Sequence, residues 1–385
     1  MNAGKYFSFV LPTRIEFGRG SLSKLPGVLE ELQVKKTLLV TDPGVRKAGI
    51  LEEVEKHLEG RGIGFEIFDD VEANPKDRNV ETGARALARM EGDAIVAVGG
   101  GSPIDCAKAM AIVASLGGKA RDYEGRGKVN APVIPIIAVP TTAGTGSEVT
   151  FSSVITDTKE SFKFSIRDTS IAPQVALADP LLTVSMPSSL TASTGMDALT
   201  HAIEGYTALV SEPIADACAL EAVSYISRNI RRAVQDGSDE SARSGMLVGS
   251  LLAGIAFSHS DVASVHCIAE ALGGMYDAPH GTCNAIALPA VMEYNLEWCT
   301  EGYARIAEAM GIPFRENTEG AKAAVEAVKR MARDVGLPVF RSLGVREKDL
   351  QEIAEKSFKN GSNSSNPRPM EITDYLNVLE VLMKG

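Results

Sequence analysis

Cysteine is scarce and odd in number: five in 385 residues (Cys106, Cys218, Cys267, Cys283, Cys299), none in a C-x-x-C pair. That argues against a disulfide framework and makes a reducing cytoplasm the expected compartment. Basic charge is short as well. Lys and Arg number 39 against 50 Asp and Glu, a net of −11 with no long basic run. Such a chain is a poor candidate for wrapping nucleic acid or coating an anionic membrane. The longest apolar stretches, 133–139 and 246–257, fall short of the roughly 20 residues that cross a bilayer. The opening Met1-Asn2-Ala3-Gly4-Lys5-Tyr6 has no apolar segment, so no secretory signal is expected. Histidine is rare too, and its distribution is uneven. His57 stands alone, whereas His201, His259, His266 and His280 fall within one window of 80 residues.

The length fits two domains better than one, because single cores rarely grow past about 250–300 residues. The first 185 residues alternate strand-like and helix-like segments. Strands are predicted over 36–41, 64–68, 94–98 and 133–139, and helices over 45–59, 79–90 and 104–115. This alternation predicts an α/β fold with a parallel sheet covered on both faces, which binds ligands at the carboxyl ends of its strands. After Pro187 the pattern turns helical, with segments over 194–209, 214–234, 241–257, 262–272, 283–294, 302–310, 318–335, 347–359 and 374–383. The boundary is read near 183–188, giving an α/β domain over 1–185 and an all-helical domain over 186–385.

Three turns fall at the predicted strand ends. Gly99-Gly100-Gly101-Ser102-Pro103-Ile104-Asp105 leads from a buried strand into a helix. Its glycines allow close backbone approach to a phosphate, and the helix start supplies free N–H groups and a positive dipole end. It is not the G-x-G-x-x-G fingerprint of an ordinary Rossmann domain. Thr141-Thr142-Ala143-Gly144-Thr145-Gly146-Ser147-Glu148 is rich in hydroxyls for phosphate and ribose. Asp42, taken alone, reads as a turn aspartate before Pro43-Gly44. At a strand end it would also accept from ribose hydroxyls and repel a 2′-phosphate, favouring NAD over NADP.

In the helical half, Asp197 and His201 are four residues apart and share one helix face. With His266 on a second helix-like segment and His280 in what reads as a loop, they offer one carboxylate and three imidazoles. That donor set suits Fe²⁺ or Zn²⁺ better than Mg²⁺ or Ca²⁺, which prefer oxygen. Any one of these histidines alone is better explained as a hydrogen-bonded core residue. Ser258–Asp261 reads as a helix break, which makes His259 a pocket residue at most.

Together these segments resemble the iron-containing (group III) alcohol dehydrogenase family over nearly the whole chain. Pro12–Gly18 is similar to its opening strand, Gly99–Asp105 to its G-G-G-S-x-x-D loop and Pro140–Glu148 to its P-T-T-x-x-T-G-S-E loop. Gly195–Glu204 and Pro279–Ala285 resemble its metal segments, and Asn366-Pro367-Arg368-Pro369 its C-terminal signature. The resemblance implies a Rossmann-like dinucleotide domain followed by a helical domain, as in dehydroquinate synthase, with a metal in the cleft between them. It implies Asp197, His201, His266 and His280 as ligands of Fe²⁺, with Zn²⁺ as the other candidate. It implies Asp42, Asn74, Gly100, Gly101, Ser102, Thr141, Thr142, Thr150, Lys163 and Leu182 as the NAD site. The expected reaction is reversible hydride transfer between a short alcohol or diol and the nicotinamide of NAD, less favourably NADP, in a homo-oligomer.

One departure from the family pattern stands out. Many members carry a histidine four residues after the third ligand, and here that position is Glu270, in His266-Cys267-Ile268-Ala269-Glu270. His259 stands where asparagine is common. Glu270 and His259 are therefore the candidate catalytic groups, for proton relay or substrate contact. The competing assignments are a zinc-dependent glycerol dehydrogenase-like enzyme, a dehydroquinate synthase-like lyase, and a non-catalytic nucleotide or metal sensor.

Overall fold

A computed structural model describes residues 6–384. The chain forms two compact units. The sheet unit comprises Val10–Thr142 and Gly146–Met186, and the helical unit runs from Pro187 onward. The helical unit also takes in residues 6–9 and Ala143–Thr145, so the division is not a single cut near residue 185. Local packing explains both additions: the Phe9 ring stacks on His259, 4.1 Å between centroids, and Gly144 lies hard against Thr194.

In the sheet unit the strands are β1 (Arg14–Phe17), β2 (Lys36–Val40), β3 (Gly64–Phe68), β4 (Ala94–Gly99), β5 (Gly125–Arg126), β6 (Ile136–Pro140), β7 (Ser152–Asp157), β8 (Phe162–Arg167) and β9 (Val175–Ala178). Six form one sheet in the order β1-β9-β6-β4-β2-β3, with every pair parallel. Every residue of β4 and β6 is buried, as expected of central strands covered on both faces. The covering helices are α1 (Leu25–Glu31), α2 (Pro43–Lys47), α3 (Ile50–Leu58), α4 (Asp77–Arg89) and α5 (Gly101–Leu116). Two apolar clusters fill the two faces, one around Ile104, Met110 and Ile136, the other around Leu39, Leu51 and Val96. The strand order reverses between β2 and β4. In such sheets the ligand crevice opens at that switch point, outside the carboxyl ends.

Two features depart from the sequence reading. The helix expected over 45–59 is two helices, because Gly49 adopts φ 76° and ends the first at Lys47. Residues 152–167, not read as strands, form the antiparallel hairpin β7–β8, which with β5 makes a separate three-stranded sheet.

That small sheet is fastened to α5 by a buried ammonium. Lys108 is fully buried, and its Nζ donates to Ser147 O (2.8 Å), Ser147 Oγ (2.9 Å), Thr150 Oγ1 (2.9 Å) and Ser152 O (2.8 Å). One turn earlier, Asp105 accepts from Ser147 Oγ and from Val154 N. Burial lowers the Lys108 pKa to about 8 against the pull of Asp105 and Glu148.

The helical unit contains α6 (Ser188–Thr207), α7 (Pro213–Gln235), α8 (Glu240–Ser260), α9 (Ser264–Tyr276), α10 (His280–Asn295), α11 (Thr300–Ala309), α12 (Asn317–Asp334), α13 (Leu350–Lys359) and α14 (Ile372–Lys384). Helix α6 begins six residues earlier than its apolar period suggests. Its Ser/Thr-rich start is helical, with Thr191 Oγ1 and Thr194 Oγ1 donating to the carbonyls of Pro187 and Leu190. Among the described residues no single helix is long and apolar enough to cross a membrane. All five cysteines are free.

Two variants test the buried polar fastening. Lys108→Met strands four acceptors and should cost about 3–5 kcal/mol in urea unfolding, the scale for removing one partner of a buried charged group. Glu148 is buried, and burial pushes its carboxyl up to about 7 from the ordinary 4.5. Its contribution is therefore full below pH 4.5 and lost as pH rises through 7. Glu148→Gln, which stays neutral, should gain about 3 kcal/mol over the parent at pH 8.5 and nothing at pH 4.

Candidate metal centre and nucleotide loops

Helix α6 presents Asp197 and His201 one turn apart on a buried face. His266 lies in the first turn of α9. His280 is the first residue of α10, not a loop residue, since Pro279 forms the N-cap and the helix starts on the histidine itself. The following Gly281 is needed for packing. A Cβ there would sit 2.9 Å from Ser193 O and 3.2 Å from the Asp197 Cβ, so only glycine lets α10 approach α6 this closely.

This packing brings four side chains to one place. One ligand atom from each of Asp197, His201, His266 and His280 lies within 4.8 Å of the other three. Asp197 Oδ2 is 3.9 Å from His201 Nδ1, and Asp197 Oδ1 is 4.0 Å from His280 Nε2. The His201 and His266 rings are 4.5 Å apart between centroids, and His266 and His280 are 5.4 Å apart. Asp197, His201 and His266 are buried and His280 is partly exposed. Burial would raise the Asp197 pKa, but the three imidazoles and the Asn284 amide outweigh it and hold the carboxyl low. Burial drives the His201 imidazole down to about 4. For His266 burial acts the same way, but hydrogen bonding to Glu204 prevails and its pKa is raised.

The hydrogen-bond pattern fits a cation. Asn284 Nδ2 lies 2.7 Å from Asp197 Oδ1, 3.0 Å from His266 Nε2 and 3.2 Å from His280 Nε2, so one amide with two hydrogens faces three ligand atoms. Among the described residues, His201 Nδ1 is buried with no hydrogen-bond partner. Lone pairs that converge with too few hydrogens are the donor side of a coordination site. Three nitrogens and one carboxylate match Fe²⁺ or Zn²⁺.

Two residues beside this group had no role in the sequence reading. Glu204 accepts from His266 Nδ1 at 2.6 Å, and Asn284 holds Asp197. Both had a visible spacing signal: Glu204 continues the Asp197–His201 face at i+7, and Asn284 follows His280 at i+4. The two proposed catalytic groups lie outside the four-residue group. Glu270, half-buried on α9, accepts from Asn360 Nδ2 at 2.6 Å. His259 lies inside α8, which continues to Ser260, and the break falls at Asp261–Ala263, later than expected. Its Nδ1 is 2.9 Å from Ile255 O, and it lines an open pocket with Tyr6, Phe7, Tyr206 and Trp298. Close by, Phe257 stacks on His201 at 4.3 Å between centroids, whereas Cys267 is fully buried.

In the sheet unit, Gly100, Gly101 and Ser102 form the start of α5, where no side chain caps the helix. A Cβ on Gly100 would sit 2.9 Å from Thr142 Oγ1, so the two loops touch and the glycine leaves the space open. Thr141 N donates to Gly99 O at 3.0 Å. Asp42 caps α2, its Oδ1 accepting from Gly44 N at 2.8 Å and Val45 N at 3.0 Å. Asn74 Oδ1 accepts from Lys163 Nζ at 2.7 Å across 89 residues of chain. Thr150 accepts from Lys108, and Leu182 is buried in the apolar cluster beneath the sheet.

Known proteins share this architecture. The family described as iron-containing alcohol dehydrogenase matches residues 12–180, and the Fe-containing alcohol dehydrogenase C-terminal family matches residues 191–383. The chain is 44% identical over 373 residues to 1,3-propanediol dehydrogenase of Citrobacter freundii, covering 94% of this chain and 95% of that one. It is 38% identical over 380 residues to NAD-dependent methanol dehydrogenase of Bacillus methanolicus, covering 97% and 99%. The crystal structure of a 1,3-propanediol oxidoreductase matches with TM-score 0.95 at 42% identity, over 98% of this chain and all of that one (100%). The chain therefore belongs to the iron-containing alcohol dehydrogenase family, metal-dependent oxidoreductases of alcohols and aldehydes.

Proposed function

We propose that this enzyme interconverts short primary alcohols or diols and their aldehydes, using NAD and a ferrous ion held by Asp197, His201, His266 and His280. The observation that carries this reading is the meeting of those four ligand atoms within 4.8 Å, in a chain that matches the family over both halves. When bound, the ion supplies Lewis-acid polarisation of the alcohol oxygen and the nicotinamide supplies the hydride acceptor. The protein contributes orientation and dryness. Asp197 and the three imidazoles form a pre-assembled donor set, buried except at His280, and Phe257 against His201 walls it with an apolar ring. Zn²⁺ takes the same donors.

For the dinucleotide, the uncapped start of α5 at Gly101 and Ser102 would receive the pyrophosphate, with Thr141 and Thr142 alongside. Asp42 would meet the adenosine ribose and exclude a 2′-phosphate, which makes NAD the preferred form. Asn74, Thr150, Lys163 and Leu182 complete the proposed site. Glu270 and His259 are proposed as substrate-contacting or proton-relaying groups. The names of the relatives, a propanediol dehydrogenase and a methanol dehydrogenase, favour small, unbranched substrates. The free thiols fit a reducing cytoplasm. The edge strand β1 and the exposed Tyr6 (92%) and Phe17 (43%) favour a homo-oligomer.

His266→Ala and His280→Ala should each lose the bound metal by elemental analysis and, with it, oxidation of 1,3-propanediol. Full activity of a metal-free preparation would refute the reading. Asp42→Ser keeps a helix-capping oxygen but removes the charge. It should shift the NADP-to-NAD ratio of kcat/KM upward about tenfold, the equivalent of about 1.4 kcal/mol of relieved repulsion. Glu270→Gln should lower turnover and alter its pH profile; an unchanged profile removes Glu270 from proton transfer.

A further inference from the structure

Glu204 stands three residues beyond His201 and seven beyond Asp197, on the same face of α6. Its carboxylate is buried and accepts three N–H groups: Ala263 N at 2.9 Å, Val265 N at 2.7 Å and His266 Nδ1 at 2.6 Å. Two of these donors belong to the start of α9. The first N–H groups of any helix lack partners within it, and the N-cap residue of α9, Ala263, offers no side-chain oxygen. Glu204 therefore caps α9 from a neighbouring helix. The third donor is the imidazole of the same helix's first turn. One carboxylate thus fixes both the end of α9 and the ring it carries.

The chain also bends sharply just before this point. Asp261 adopts φ 66° and ψ 176°, a region that side chains rarely enter. It is held there by bonds from Val262 N and Ser362 Oγ to its carboxylate. The corner turns α9 so that His266 meets Glu204 on one side and the ligand group on the other.

We infer that Glu204 is a positioning residue, which holds His266 as the Nδ1–H tautomer and so presents the Nε2 lone pair to the ion. This inference rests on the metal reading above. A neutral imidazole carries one ring hydrogen, and an ionised carboxylate only accepts, so the hydrogen must sit on the nitrogen that faces Glu204. The other nitrogen, Nε2, lies among the ligand atoms, 3.0 Å from Asn284 Nδ2. Carboxylate partners of this kind fix the ring and raise its basicity as a ligand.

Glu204→Gln isolates the effect. The amide keeps the size and an oxygen in the Oε1 position for Val265 N, whereas an NH₂ in the Oε2 position would give up the Ala263 N bond, donate to His266 Nδ1 and move the ring hydrogen to Nε2. The test is ¹⁵N-histidine NMR of the metal-free full-length protein at pH 9, with His266 assigned by its loss in His266→Gln. It is paired with Fe²⁺ and Zn²⁺ affinity measured by competition with a chromophoric chelator. The parent should show a protonated Nδ1. Glu204→Gln should show a protonated Nε2 and affinity for both ions weaker by about 10–100-fold, with helix content by circular dichroism unchanged. A purely structural role would lower helix content or thermal stability and leave the tautomer alone. A parent protein with the hydrogen on Nε2, or a Glu204→Gln protein with parental affinity, overturns the inference. Should Glu204→Gln fail to fold, the parent tautomer alone decides. A parent that binds neither ion defeats the metal reading, and the tautomer still decides the role of Glu204.

Discussion

A cluster of lone pairs in an apolar interior is unstable unless something positive sits among them. The interior of the helical unit holds such a cluster: a carboxylate and three imidazoles, gathered from α6, α9 and α10. Buried polar groups are normally satisfied by hydrogen bonds. Here the Asn284 amide is shared among three of the ligand atoms, and among the described residues His201 Nδ1 has no partner. Much of the surrounding sequence follows from that demand: Gly281 to let α10 close on α6, Glu204 to turn His266, and Asn284 to steady Asp197. A divalent ion resolves the imbalance more completely than any rearrangement of side chains.

The sheet unit is organised around a different feature, the start of α5, whose N-cap Gly100 supplies no side-chain cap. Glycine at position 100 keeps the space before α5 open, and Thr142 stands against it. The ammonium of Lys108, about two turns along the same helix, ties residues 147–152 beneath it. Buried ionisable groups carry a cost, and the perturbed pKa values of Lys108 and Glu148 are its signature. The result is a stiff platform under a loop that has to be both open and well placed.

The sequence carried the periodic elements and the scarce residues well. Strand 64–68 and the helical run after Pro187 were legible because their apolar spacing is regular. The cluster of Asp197, His201, His266 and His280 was legible because histidine is rare and Asp197 and His201 share a helical interval. What escaped notice depended on tertiary context. The β7–β8 hairpin has a mixed burial pattern, since it packs on α5 with one face only. His280 reads as a loop residue between Pro279 and Gly281, yet proline is at home just ahead of a helix and the glycine answers to Asp197, not to a turn. Glu204 escaped because a glutamate inside a helix ordinarily faces water. Only the packing of α9 shows that it is buried. The split of the helix over 45–59 was marked by Gly49, whose left-handed backbone overrides an otherwise continuous period.

The spacing along α6 has an evolutionary corollary. Asp197, His201 and Glu204 owe their common face to a fixed count of residues on one rigid rod. A single-residue insertion or deletion between them would swing the later side chains by about 100° and aim them elsewhere. The identities of intervening residues such as Ala198 and Thr200 can drift under packing constraints alone, but the length of the segment cannot. Natural variants of this protein should therefore tolerate gaps in the loops that follow the helix and none within it.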